Sequence, residues 1–267
     1  MPALLSSPAR ASIKAAMDNP FAVQSHEPPP AATRPRTRMG RLMHWLARAL
    51  ALFIGITVIL TALYRFVPPP VTPLMVIRLF EGDWISKDWV SYEEISPNLA
   101  RAVIASEDSG FCAHWGFDFE AIRKALRHNE KSQRLRGGST ISNQTAKNAF
   151  LWPGDSLLSR YARKGIEPYF TTLIELMWGK KRILEVYLNV AEWGRGIYGA
   201  EAAAQYHFHK SAADLTRREA ALLAAVLPSP RRSSAGKPSN YISRRAGTIQ
   251  ARMNDVPDPK GDPCGRQ

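Results

Sequence analysis

The sequence is short of acid. It carries 23 Asp and Glu against 36 Lys and Arg in 267 residues, a formal net charge of +13. An anionic partner is therefore expected, whether nucleic acid, phospholipid or a phosphorylated substrate. Metal and redox chemistry are also thin. There is no CxxC, no zinc-ligand spacing and no HExxH, which removes the common zinc-site and thioredoxin-type readings. The two cysteines, Cys112 and Cys264, lie far apart, and His207 and His209 have no acidic or thiol neighbour to complete a metal pair. A structural disulfide between those cysteines is not expected, and the redox compartment stays open. Strand signals are few and no internal repeat occurs, so the 45% hydrophobic chain reads as one mainly α domain with appendages.

One long apolar run is present. Ala49 to Tyr64, ALALFIGITVILTALY, is uncharged, and Trp45, Arg48, Arg65 and Phe66 extend it by snorkelling or by sitting at an interface. PPPVTP follows it without a small-residue cleavage signal, so it reads as a retained anchor; a buried core helix would want different flanks. Arg34, Arg36, Arg38, Arg41 and Arg48 precede it with no acid among them. The positive-inside rule then leaves the N-terminus in the cytoplasm and everything after about Pro68 outside. The expected organisation is a disordered basic tail over 1–44, a transmembrane anchor over 45–67 and an extracytoplasmic linker over 68–90, opened by the stiff spacer Pro68 to Pro73. A mainly α domain over 91–254 and a polar tail over 255–267 complete it.

The first helix of that domain ends in two carboxylates. Ser96 is a good N-cap and Pro97 a good first residue, which predicts a helix over Pro97 to Glu107. Helical spacing puts Ala100, Val103 and Glu107 on one face, with Asp108 nearer Arg101 and Ala105. Desolvation, the neighbouring Asp108 charge and the negative helix end all predict a raised pKa for Glu107, which suits proton abstraction from a hydroxyl. Pairing with a buried Arg, or capping a loop, is the competing reading. Phe111 and His114 follow, the latter expected to hold the loop after Glu107.

Further along, Arg136-Gly137-Gly138-Ser139-Thr140 opens a helix on which Thr140, Gln144 and Lys147 recur at i, i+4 and i+7. That pattern offers free N–H groups and a cationic face to a phosphate, though an ordinary Gly-rich turn would look the same. Arg163, Lys164 and Glu167 add two cations and a second carboxylate, by themselves a solvated charge run. Phe150, Leu151, Trp152, Leu157, Leu158 and Tyr161 alternate with Arg160 and Arg163, a pattern that fits core packing or a membrane interface. Gly194, Gly196 and Gly199 match GxGxxG, but they follow the helical pattern of Ile183, Tyr187 and Val190 rather than a strand, so they read as a tight loop between helices. Thr216 and Glu219 form a capping box for an apolar helix that Pro228 closes.

Taken in order, these segments resemble the family-51 peptidoglycan glycosyltransferases. The resemblance runs from about Ser91 to Met253 through five motifs: Glu107-Asp108-x-x-Phe111-x-x-His114-x-Gly116, GGSTISNQTAKN at 137–148, Arg163-Lys164-x-x-Glu167, KRILEVYLNVAEWG at 181–194 and EAALLAAVLPSP at 219–230. TPLM at 72–75 looks like the monofunctional biosynthetic branch. The resemblance implies a two-lobed, lysozyme-like, mostly helical fold on the outer leaflet of the bacterial inner membrane. It implies that lipid II is polymerised into β-1,4-linked glycan with release of undecaprenyl diphosphate. Glu107 would be the base at the acceptor hydroxyl and Glu167 would assist near the donor. Lys147, Arg163 and Lys164 would hold the diphosphate, with Ser139, Thr140 and Gln144 lining the same groove and Asp108, Phe111 and His114 in support. A divalent cation, Mg or Mn, at the diphosphate is compatible with the family, but the residues show no dedicated metal site. The implied partners are lipid II, the growing glycan, membrane lipids and other cell-wall synthesis proteins, not nucleic acid.

Asn143 stands where the family usually has glutamine, Pro168 directly follows Glu167 and biases it away from helical geometry, and Tyr206-His207-Phe208 departs from the usual spelling. Ser234-Ala235-Gly236-Lys237 matches SxxK, but no KTG follows and too little chain remains for a transpeptidase. A lysozyme-like lytic hydrolase and a non-catalytic lipid II-binding scaffold are the two competing functions.

Overall fold

The computed structural model describes residues 38–132 and 137–265. Most of the basic tail, with Arg34 and Arg36, and also Arg136 of the glycine motif, fall outside them. The chain divides into two compact units, 1–51 and 52–267. The described part of the first is the opening half of helix α1 (Arg38–Tyr64), 27 residues long and apolar enough to cross a membrane. It begins before the expected 45 because the stretch from Arg38 to His44 has no proline or capping residue to stop it. At about 1.5 Å per residue it exceeds the ~30 Å hydrocarbon core of a bilayer.

The second unit starts with part of that helix and, among the described residues, continues through nine more. Helix α2 (Pro73–Phe80) falls inside the stretch expected as linker: Thr72 accepts a hydrogen bond from Met75 N, Pro73 takes an early position where no N–H is needed, and Met75 is fully buried. Strand β1 (Ser86–Lys87) follows, then a 3-10 turn at Tyr92–Glu94. Helix α3 (Pro97–Glu107) is capped by Ser96 as expected and buries Leu99, Ala100, Val103 and Ile104. Then come α4 (Phe119–Lys131), α5 (Ile141–Phe150), α6 (Leu157–Met177) and α7 (Lys180–Val190). Strands β2 (Glu192–Gly194) and β3 (Ile197–Tyr198) lead to α8 (Ala200–Phe208), α9 (Arg217–Val226) and α10 (Asn240–Arg252). Thr216 and Glu219 form the expected capping box on α9. The main helix packing is α3 with α9 and α10, and α5 with α6 and α7.

Three expectations are corrected. The GxGxxG glycines do not simply loop between helices: β2 and β3 make an antiparallel hairpin, and β1 joins β3 in parallel. Gly196 turns it at φ +74°, where a Cβ would lie 2.4 Å from the Trp84 carbonyl, so only glycine fits. Pro168 does not turn Glu167 out of helical geometry, because α6 runs through it from Leu157 to Met177. Packing overrides the local bias, with Phe170, Thr171 and Ile174 buried on the far side of the proline. Finally, Cys112 and Cys264 are joined in a disulfide. The segment behind α10 folds back toward α3, where Arg101 pairs with Asp258 at 3.2 Å and the Tyr92 hydroxyl donates to Pro259 O at 2.8 Å.

Candidate active site

Glu107 closes α3 on the face that Ala100 and Val103 bury, and its own side chain is 14% exposed. Asp108 is not where helical spacing would put it. It leaves the helix at φ −161°, turns inward and becomes the more buried of the two carboxylates. There it accepts a hydrogen bond from Ile141 N at 2.9 Å, an N–H that the first turn of α5 leaves without an intrahelical partner, and it bonds His114 Nε2 at 2.9 Å. Phe111 is fully buried beneath Lys180, whose Nζ lies 4.7 Å from the ring centre. Asp108, Phe111 and His114 therefore pin the loop, and Glu107 stays at the edge of a groove.

That carboxylate is held from two sides. Gln144 Nε2 donates to Glu107 Oε2 at 2.9 Å, and the Tyr187 hydroxyl donates to Gln144 Oε1 at 3.2 Å. Burial, then the Glu107 charge, pushes the Tyr187 pKa well up, so its hydroxyl stays a donor. Arg245 of α10 lies 3.9 Å from Glu107 Oε1.

Ser139, Asn143, Gln144 and Lys147 line a recess with Arg163, Lys164 and Glu167 of α6. Glu167 is buried and pairs with both α6 cations, Lys164 at 2.7 Å and Arg163 one turn away. Burial, then the Arg163 charge, pushes the Lys147 pKa down. Three cations against one carboxylate leave the recess net positive, suited to a diphosphate. Thr140 differs from its expected neighbours. Its hydroxyl donates to Gly116 O at 2.7 Å and accepts from Asn143 N, so it caps α5 and lines the recess next to Glu107 and Ser139 instead. Asn143 completes that capping box and donates to Thr171 Oγ1 at 3.1 Å.

Among the described residues, ligand atoms of Asp108, His114 and Asp118 lie within 4.8 Å of one another. Their bonds point elsewhere: Asp108 holds α5 and His114, and Asp118 caps α4 through Ala121 N at 2.8 Å. The recess suited to a diphosphate is itself lined by cations. Asp108, His114 and Asp118 do not line that recess, so this donor set does not fit a metal at the diphosphate.

Sequence reasoning did not assign Tyr187, Arg245 or Glu192 to the site. Tyr187 and Glu192 lie in the 181–194 motif, so that motif is the signal that points to them. Glu192 lines the groove beyond Lys147 and Tyr187 with Arg78, and burial pushes its pKa up. Arg245 had no signal, because only the packing of α10 on α3 brings it near. His207 is structural: its Nε2 bonds Trp193 O at 3.2 Å and its Nδ1 accepts from Gly236 N at 3.3 Å.

The transglycosylase family model matches residues 75–254, which include α2 through α10 apart from the first two residues of α2. A biosynthetic peptidoglycan transglycosylase of Caulobacter vibrioides is 55% identical over 79% of this chain and 93% of its own. One of Rhodospirillum centenum is 56% identical over 80% and 93%, and one of Pseudomonas putida 50% identical over 83% and 94%. The arrangement of a groove-facing carboxylate beside a cationic recess is thus found in a chain that belongs to the transglycosylase family.

Proposed function

We propose that this peptidoglycan glycosyltransferase elongates glycan from lipid II by inverting transfer. The observation that supports this best is the placement of Glu107, held by Gln144, next to the recess of Lys147, Arg163 and Lys164. The acceptor GlcNAc 4-hydroxyl gives its proton to Glu107 as its oxygen bonds C1 of the donor MurNAc. The C1–O bond to phosphate breaks, and undecaprenyl diphosphate leaves as an anion stabilised by the three cations. Glu167 keeps Arg163 and Lys164 aligned. Direct displacement needs no covalent enzyme intermediate, so no activated nucleophile is required.

The chain sits in the bacterial inner membrane through α1, with the catalytic domain on the periplasmic side. The Arg-rich approach to α1 supports that orientation, and so does the disulfide, which belongs in an oxidising compartment. Exposed Leu157, Leu158 and Tyr161 at the start of α6 suit a membrane interface, whereas Leu151 is core.

The test is polymerisation of labelled lipid II by detergent-solubilised protein beside Glu107→Gln. The wild type makes long glycan, and the variant loses about 100-fold or more while still binding substrate. Wild-type protein that cuts finished cell wall and ignores lipid II would make it a lytic hydrolase. Binding of lipid II without polymerisation would make it a scaffold.

A further inference from the structure

We infer that the Cys112–Cys264 disulfide is a positioning clamp for the acceptor side of the site, and that activity therefore depends on its oxidation. The inference rests on Glu107 being the acceptor-side base. Cys112 lies in the loop between Asp108 and Gly116, next to buried Phe111. Three further ties on that loop lead to the Glu107 end of the groove. Phe111 N donates to Asp108 O at 3.1 Å, His114 bonds the Asp108 carboxylate, and Gly116 O accepts from Thr140. The opposite end of the disulfide is held by a strap after α10 that Asp258 and Pro259 fasten to Arg101 and Tyr92.

Helix α10, which that strap follows, reaches the Glu107 end of the groove. Arg245 approaches Glu107 at 3.9 Å, and Arg252, the last residue of α10, lines the recess with Glu107, Asp108, Ser139 and Thr140. The covalent bond thus joins the loop that sets Asp108 and His114 to the segment that presents Arg245 and Arg252. The cations of the diphosphate recess, Lys147, Arg163 and Lys164, come from α5 and α6, and neither cysteine lines that recess. The family match ends at residue 254, so Cys112 lies within the matched segment and Cys264 ten residues beyond it.

Forming the bond removes two electrons and two protons from the thiols of Cys112 and Cys264 and passes them to a donor disulfide, which becomes a dithiol. A dithiol reductant reverses the exchange. Reduction unlinks the strap from the loop, so the acceptor side loosens while the cations stay in place.

The experiment uses the full chain in detergent, oxidised or reduced with dithiothreitol, beside the Cys112→Ser/Cys264→Ser double variant. The readouts are lipid II polymerisation kinetics, equilibrium binding of undecaprenyl diphosphate and the melting temperature. Reduction is expected to raise KM for lipid II roughly three- to tenfold, leave diphosphate binding within about twofold and reverse on reoxidation; the double variant matches the reduced enzyme and ignores reductant. A melting temperature above the assay temperature in every sample shows that the readout is not unfolding. An unchanged KM, or a fall in kcat that only tracks the folded fraction, overturns the clamp. So does free thiol at both cysteines in protein purified without reductant. If oxidised wild type does not polymerise lipid II at all, the functional reading fails first, which separates the two failures.

Discussion

At the residue scale, two adjacent carboxylates do different work because a single backbone step separates their surroundings. Asp108 leaves the helix and is consumed by Ile141 N and His114, whereas Glu107 keeps its place on α3 and is oriented by Gln144. In the proposed reaction Gln144→Leu should therefore lower kcat about tenfold or more, since it removes the donor that aims Glu107; an unchanged kcat would remove Gln144 from the site. Lys147 makes a pH prediction. Its pKa lies below the ordinary lysine value, and lysine is charged only below its pKa, so its charge is lost earlier as pH rises. KM for lipid II in the wild type should climb on the alkaline side below about pH 10.4. In Lys147→Arg that climb should vanish, because the guanidinium stays charged; identical KM profiles would show that Lys147 does not meet the diphosphate. His207 tests stability instead. Burial lowers its folded pKa, so its contribution is fully present above its unfolded pKa near 6.5 and fades as pH falls through the lower folded value. His207→Ala should cost about 1–3 kcal/mol near pH 7.5 and flatten the acid limb in a melting-temperature series.

At the element scale, the hairpin after α7 carries Glu192 into the groove, and Gly196 is its pivot. A β-carbon there meets the Trp84 carbonyl, and positive φ strains any L residue. Gly196→Ala should cost about 1–3 kcal/mol, or roughly 2–4 °C of melting temperature per kcal/mol for a domain of this size; an unshifted melting curve would mean that the turn can rearrange. This hairpin also shows what a sequence conceals. Capping chemistry is local, so Ser96, Thr140 and Thr216 mark α3, α5 and α9 from a few neighbouring residues. The groove cations are legible because motif order brings Lys147, Arg163, Lys164 and Glu167 together. Asp108 is misplaced by helical spacing because the helix ends one residue earlier. Pro168 misleads because its bias is local whereas α6 is held by residues packed beyond it. The Cys112–Cys264 pair, Arg245 near Glu107 and the folded-back tail depend on contacts across more than a hundred residues, which no periodicity encodes.

At the scale of the whole molecule, the closing turns of α1 and helix α6 are parts of one packing arrangement. The closing turns of α1 do not simply hand over to a linker. Thr57 Oγ1 lies 2.6 Å from the Tyr169 hydroxyl, Trp178 Nε1 donates to Thr61 O at 2.8 Å, and Arg182 donates to Tyr64 O at 2.8 Å. Phe150 and Phe170 stack at 5.0 Å, with Tyr64 and Phe53 against them. Helix α6 therefore contributes Tyr169 and Phe170 to this seam and Arg163, Lys164 and Glu167 to the groove. For a lipid-linked substrate this matters, because the diphosphate must enter the recess while its polyprenyl tail stays in the bilayer. The seam fixes Arg163, Lys164 and Glu167 relative to the closing turns of α1. Trp178→Phe with Thr57→Val keeps the apolar character of α1 and most of the packed volume but removes two seam hydrogen bonds, each worth about 1 kcal/mol. The double variant should melt several degrees lower in detergent and be cut faster by protease between Tyr64 and Thr72. Its KM for lipid II should rise more in liposomes, where the bilayer fixes the height of the lipid, than in detergent, where it does not. An equal rise in both settings would mean that the seam only stabilises the fold, and no rise in either would detach the anchor from substrate positioning.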